Sequence, residues 1–132
     1  MNTGRSLLAG AGLQTAGLAF GGNEPALSNK TEEYDGSSWT ASGTLNTARK
    51  ILAGCGGYSA PTAIITTTEG YDGTSFSTRP SLAQARQTAA GSGTSELGLL
   101  SGGADGGGNA YANVEEFTGE TSALNIKTIS TS

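Results

Sequence analysis

Three arginines, Arg5, Arg49 and Arg86, each close a short phrase: Asn2-Thr-Gly-Arg5, Asn46-Thr-Ala-Arg49 and Ala83-Gln-Ala-Arg86. Acidic residues follow each of them downstream, at Glu32-Glu33, Glu69 and Glu115-Glu116. A guanidinium and a carboxylate recurring together permit two chemistries. One is a ring of anion-binding sites. The other is a repeated contact in which the arginine fork grips a carboxylate bidentately and fixes the orientation of each copy. The second is favoured, because three copies without specialisation are what a scaffold shows.

Other groups with reactive chemistry lead less far. The adjacent carboxylates could suggest the acid and base of glycoside hydrolysis, but neighbours on a strand face opposite sides and do not converge. The chain has no His, which excludes Ser/His/Asp and Cys/His centres and any His-ligated metal. The single Cys55 forms no internal disulfide or cysteine zinc site, and a small buried thiol is its default. Asp35, Asp72 and the Asp105-Gly-Gly-Gly-Asn109 loop, read as flexible, offer too few oxygens for the six to eight that calcium takes. Its glycine pairs lack the Gly-Lys-Ser/Thr of a phosphate loop. No catalytic, metal or cofactor site is expected, and the chain reads as a non-enzyme.

The elements that must position these residues are set by composition. Glycine supplies 22 of 132 residues. Each glycine inside a helix costs about 1 kcal/mol relative to Ala, so a helical bundle is excluded. A net charge of −4 and a pI near 4.6 lack the basic footprint of a nucleic-acid binder. No apolar run is long enough to span a membrane. The stretch from Met1 to Phe20 loosely imitates a signal peptide, but similar segments recur at Arg49 and Arg86, which marks it as architecture.

The recurrence continues along each copy. Diglycines stand at Gly21-Gly22, Gly56-Gly57 and Gly102-Gly103. Each is followed by an aromatic residue two before a glycine, at Tyr34, Tyr71 and Phe117. Trp39 and Phe76 come five residues after their aromatic, and Ser122 takes that place in the third copy. Three copies, approximately 2–45, 46–82 and 83–132, fill the chain as a single repeat domain. Ile64-Ile-Thr-Thr-Thr68 suits a pleated sheet, and Asp35-Gly36 and Asp72-Gly73 are hairpin-turn dipeptides. The expectation is all-β, with about four strands per copy.

This layout resembles kelch repeats, in which a diglycine ends the second strand, a Tyr lies in the third and a Trp in the fourth. The fuller phrase, Thr31-Glu-Glu-Tyr-Asp-Gly-Ser-Ser-Trp-Thr40 through Leu45-Asn-Thr-Ala-Arg49 to Leu52-Ala-Gly54, is similar to kelch-like repeats of marine bacteriophage structural proteins. The resemblance implies β-propeller blades and a place on a virion; otherwise the protein would be soluble or extracellular. In a blade, small residues suit the crowded inner strand and the large rings fill the outer wedge.

The second copy is short. Seventeen residues separate Arg5 from Gly22 and Arg86 from Gly103, but only eight separate Arg49 from Gly57. The nine missing residues fall between the first two strands, so a three-stranded blade is expected there. Cys55 lies in this stretch. Three blades do not close a ring of the usual four to eight. The expected partner is therefore the chain itself: a head-to-tail homodimer of six blades, or a larger ring or filament. A fragment of a longer chain is the other reading. The expected function is a structural or interaction role as a decoration, fibre or appendage, with other virion proteins or glycans as further partners. The alternative is a lectin-like, carbohydrate-binding propeller used for adhesion, with Tyr58 and Tyr111 as glycan contacts.

Overall fold

Short runs of small and β-branched residues punctuated by glycine have no helical stripe to bury, and they pair as strands instead. The computed structural model of the chain describes residues 1–50, 56–59, 63–93, 97–117 and, for its backbone, the strand at 126–129. Cys55, the Leu52–Gly54 phrase and Ser122 lie outside the described residues. Among the described residues every regular element is a strand, and every pairing is antiparallel.

The first sheet has four strands in the order β1 (Ala9–Leu13), β2 (Ala16–Phe20), β5 (Thr31–Tyr34) and β6 (Trp39–Ser42). A small hairpin of β3 (Asn23–Glu24) and β4 (Ala26–Leu27) is spliced between β2 and β5. Next comes a three-stranded ribbon of β7 (Arg49–Lys50), β8 (Tyr58–Ser59) and β9 (Ala63–Ile64). The second sheet pairs β10 (Thr68–Tyr71) with β11 (Phe76–Arg79). The third has four strands again, β12 (Ala90–Gly93), β13 (Gly98–Ser101), β14 (Val114–Phe117) and β15 (Ile126–Ile129).

The nine-residue shortfall now has a place. In the first copy the hairpin β1–β2 lies between Arg5 and the diglycine. In the second copy only residues 50–55 separate Arg49 from Gly56, too few for two such strands and their turn. Among the described residues the second sheet has two strands where three were expected.

Aromatic residues close the hairpins. Tyr34 is in register with Trp39, their ring centroids 5.0 Å apart, and Tyr71 with Phe76, 4.8 Å apart. Such cross-strand ring pairs stabilise a hairpin by up to about 1 kcal/mol. Asp35 and Asp72 sit in the intervening loops, each with one carboxylate oxygen accepting two backbone N–H groups at 2.8 Å. The third copy departs from the fixed spacing. Phe117 is in register with Ile126 rather than with Ser122, because the connection there is longer.

The interior is only partly apolar. One cluster joins Ala9, Phe20 and Leu45, with Leu18 and Phe76 packed on it. A second joins Leu82 and Leu100, with Ala89 and Phe117. The largest fully buried side chains are instead Arg49 and Arg86. A chain with so few large apolar residues fills its centre with paired charge.

Candidate functional site

Arg5, Arg49 and Arg86 each sit at the start of a copy and reach inward. The geometry is the same three times. Arg5 donates from Nη2 to Glu32 Oε1 at 2.9 Å, and from Nη1 to the carbonyls of Gly21 at 3.0 Å and Lys30 at 2.6 Å. Arg49 repeats this with Glu69 at 2.5 Å, Gly56 at 3.3 Å and Thr67 at 2.7 Å. Arg86 does so with Glu115 at 2.5 Å, Gly102 at 2.9 Å and Asn113 at 3.4 Å. All three guanidinium side chains are wholly buried.

The expected bidentate grip on carboxylate is thus corrected. Only one arm of each fork meets the Glu, and the other caps two backbone carbonyls. The second carboxylate oxygen instead accepts a backbone N–H from the arginine phrase itself: Asn2 at 2.5 Å, Asn46 at 2.7 Å and Ala83 at 2.9 Å. The division follows from supply. The carbonyls of Lys30, Thr67 and Asn113 also accept the N–H of Gly21, Gly56 and Gly102, whereas those of Gly21, Gly56 and Gly102 have no other donor among the described residues, and burying these unpaired would cost about 1–3 kcal/mol each.

Diglycines make this possible. Gly21, Gly56 and Gly102 have φ of 67°, 63° and 63°, and the following glycines lie near +100°. This left-handed pair turns the first carbonyl toward the arginine. A side chain on the second glycine is blocked as well, since a Cβ on Gly22 would come within 2.7 Å of the Ser6 carbonyl oxygen.

The carboxylates behave accordingly. Burial alone would raise the Glu32 carboxyl, but the Asn2 N–H and the Arg5 charge outweigh it and hold the group below its ordinary value. Its neighbour Glu33 points to the other side of β5, where it accepts from Tyr71 and Ser42. The Tyr71 hydroxyl, followed by that of Ser42, lowers the Glu33 carboxyl. Glu32 and Glu33 therefore serve different contacts and form no acid–base pair.

Between the first and second sheets lies an open cleft of about 370 Å³, lined by Ala11, Gly12, Leu18, Glu33, Tyr71 and Gly73 among others. The Tyr71 hydroxyl, donating to Glu33, bridges the two sheets at its edge. Sequence reasoning located the shortfall and missed the cleft, which no motif signals.

The two tyrosines taken as glycan contacts occupy different places in the repeat. Tyr58 directly follows its diglycine, with the Lys50 ammonium 5.3 Å from its ring centroid. Tyr111 lies on the return segment, its N–H on the Gly103 carbonyl and the Arg86 guanidinium 5.1 Å from its ring centroid. A cation already covers one face of each ring. The Asp105 loop, expected to be flexible, is tied by its own carboxylate, which accepts from the Gly107 and Asn109 backbone and the Asn109 amide. Among the described residues no group of three His, Cys, Asp or Glu is placed to hold a metal ion, and no helix is long and apolar enough to cross a membrane.

The fold and its nodes define an all-β protein made of small antiparallel sheets, with three buried Arg–Glu pairs among the described residues. No protein-family model and no curated protein matches the chain. Among solved structures it is similar to YjhT, with a TM-score of 0.70 and 14% identity. The likeness covers 96% of this chain and 46% of YjhT, so the chain spans less than half the length of that protein. At this identity the likeness concerns the fold alone.

Proposed function

We infer that the chain is an open arc of kelch-like β-propeller blades, one for each sheet, and that it is a non-enzymatic structural or interaction protein that associates with copies of itself. The observation that carries this reading is the threefold Arg–Glu–diglycine node. Its three copies share the Nη2 contact to a carboxylate and the Nη1 contacts to two carbonyls, and each spends its buried ionisable groups on holding backbone. A site for turnover would set one copy apart.

Self-association is supported by geometry. Three blades leave two end faces uncovered, and head-to-tail pairing by a two-fold rotation covers both. The repeat phrase around Tyr34 and Trp39, with its resemblance to phage structural proteins, supports a place on a virion as decoration, fibre or appendage.

Light scattering after size exclusion tests the association. The expected mass is twice the 13.1 kDa of the chain; a stable monomer overturns the self-associating arc. Immunolabelling of phage particles whose genome encodes the chain tests the virion role, which absence of label from the particle would overturn.

A second reading, a carbohydrate-binding module for adhesion, is favoured by the cleft between the first two sheets. Its volume lies within the range of small-ligand sites, and it offers a tyrosine and a carboxylate. A glycan array decides it: binding that Leu18→Trp abolishes by filling the cleft supports this reading, and no binding to any glycan removes it.

A further inference from the structure

Which surfaces meet follows from a junction that the chain makes twice within itself; this step rests on the self-association reading. Between the first and second sheets, Gly22 N–H donates to the Arg49 carbonyl at 2.8 Å and Leu45 N–H to the Asn29 carbonyl at 2.9 Å. Between the second and third, Gly57 donates to Arg86 at 2.9 Å and Leu82 to Thr66 at 2.9 Å. Leu45 and Leu82 plug the two junctions, 1% and 4% exposed. At the first junction Tyr71 also donates to Glu33, and the Phe76 ring lies 6.0 Å from that of Phe20.

The third sheet carries one half of this junction with none of the described residues on it. Gly103 N–H, the counterpart of Gly22 and Gly57, has no acceptor among the described residues. Glu116, the counterpart of Glu33, has no side-chain partner among them, and Leu99 beside it is 39% exposed.

The first sheet carries the other half, equally bare. The Arg5 carbonyl, the counterpart of Arg49 and Arg86, accepts no hydrogen bond from a described residue. Met1 stands where Leu45 and Leu82 stand in their copies, yet it is 44% exposed. The Tyr34 hydroxyl, the counterpart of Tyr71, turns back to the Gly36 carbonyl of its own hairpin. Trp39, the counterpart of Phe76, touches no ring but Tyr34 among the described residues.

Differences between the junctions compensate one another. Glu33 meets Tyr71. At the second junction the same positions hold Gly70 and Phe117, so carboxylate and hydroxyl are both gone. The open ends hold Glu116 and Tyr34, and both have returned. Where Phe20 meets Phe76, the open ends offer the smaller Ser101 and the larger Trp39. The two bare faces complement each other in polarity and in volume.

We propose that the third sheet of one chain docks on the first sheet of a second copy through this same junction. Gly103 N–H meets the carbonyl of the partner's Arg5, and Glu116 accepts from the hydroxyl of the partner's Tyr34. The partner's Trp39 covers Ser101 and Leu99, and the partner's Met1 takes the plug position. The contact is heterologous, and two chains satisfy both faces at once.

Trp39 is the only tryptophan, so its emission reports on the docking face directly. Sedimentation equilibrium and tryptophan emission are measured against concentration for the wild type, Tyr34→Phe, and Tyr34→Phe with Glu116→Gly. The expected species has twice the 13.1 kDa chain mass, and emission moves to the blue as it forms. Tyr34→Phe weakens association about tenfold by leaving a buried carboxylate without its donor. Adding Glu116→Gly, which copies the Gly70 and Phe117 junction, restores most of the affinity. Should Tyr34→Phe fail to fold, Glu116→Gln makes the same test from the other face. An assembly of the right mass with unshifted emission and equal affinity in every variant overturns the docking faces and leaves self-association standing. A chain that stays monomeric at every concentration overturns both.

Discussion

The hydroxyl of Tyr71 donates to the carboxylate of Glu33, 38 residues earlier in the chain, and the Ser42 hydroxyl bonds to both. This contact joins the second sheet to the first beside the cleft. It lowers the proton affinity of the carboxyl, whereas burial, and after it the bond to Glu33, raises the Tyr71 phenol above its ordinary value. Tyr71→Phe removes the donor and keeps the ring. The expected loss is about 1–2 kcal/mol of unfolding free energy, together with a rise of the Glu33 carboxyl toward 4.5. Urea denaturation and an NMR titration of Glu33 measure the two effects.

Acid should weaken the protein, and Glu32 contributes to this with a definite sign. Its carboxyl lies lower in the folded state than in the unfolded chain, so the unfolded chain takes up protons more readily. Its contribution is complete above the ordinary value of 4.5 and is lost as pH falls through the lower folded value. Glu32→Gln should be less stable than the wild type at pH 7, and the difference should shrink on acidification. A gap that widens as pH falls from 5 to 3 would contradict this assignment.

Glu115→Gln tests the buried node most sharply. Arg86 and Glu115 have no exposed side-chain surface, so the variant leaves an unpaired guanidinium inside the protein. Breaking such a pair costs about 3–5 kcal/mol. Replacing both partners by Arg86→Met with Glu115→Leu should cost less than the two single changes together, although the Gly102 carbonyl then loses its donor and that of Asn113 keeps only the Gly102 N–H. Thermal and chemical denaturation of the wild type, Arg86→Met, Glu115→Leu and the double variant form the cycle; additive losses would show that the two side chains act independently.

Gly43 tests how closely the first two sheets approach. A Cβ there would stand 2.1 Å from the Thr74 carbonyl oxygen, backbone against backbone. Gly43→Ala should therefore destabilise by about 1–3 kcal/mol. Amide exchange should quicken at Leu45, whose N–H binds Asn29 at this junction. Unchanged exchange at Leu45 would mean that the sheets tolerate the added methyl without separating.

Much of the fold was legible because strand pairing is local. Alternation along Thr31–Tyr34 puts Glu32 and Glu33 on opposite faces whatever lies around them. The five-residue spacing from Tyr34 to Trp39 and from Tyr71 to Phe76 is the register of two hairpins. The same rule failed at Phe117, whose partner is Ile126, because a longer connection leaves no trace in spacing. The diglycines pointed to backbone that only glycine adopts readily, and the positive φ angles are found there.

The sequence by itself determined that three like segments follow one another, that each has an arginine and a carboxylate to pair, and that the second is nine residues short. These are properties of residue type and order. Only the tertiary structure decided how each arginine divides its fork between one carboxylate and two carbonyls. It alone brought Tyr71 to Glu33, opened the cleft beside the short copy, and left Gly103, Glu116, Tyr34 and Trp39 facing outward. The reason is physical. Contacts within a sheet follow from the pleat and the turn, but contacts between sheets depend on how far apart two backbones settle, which is set by plugs such as Leu45 and close approaches such as Gly43.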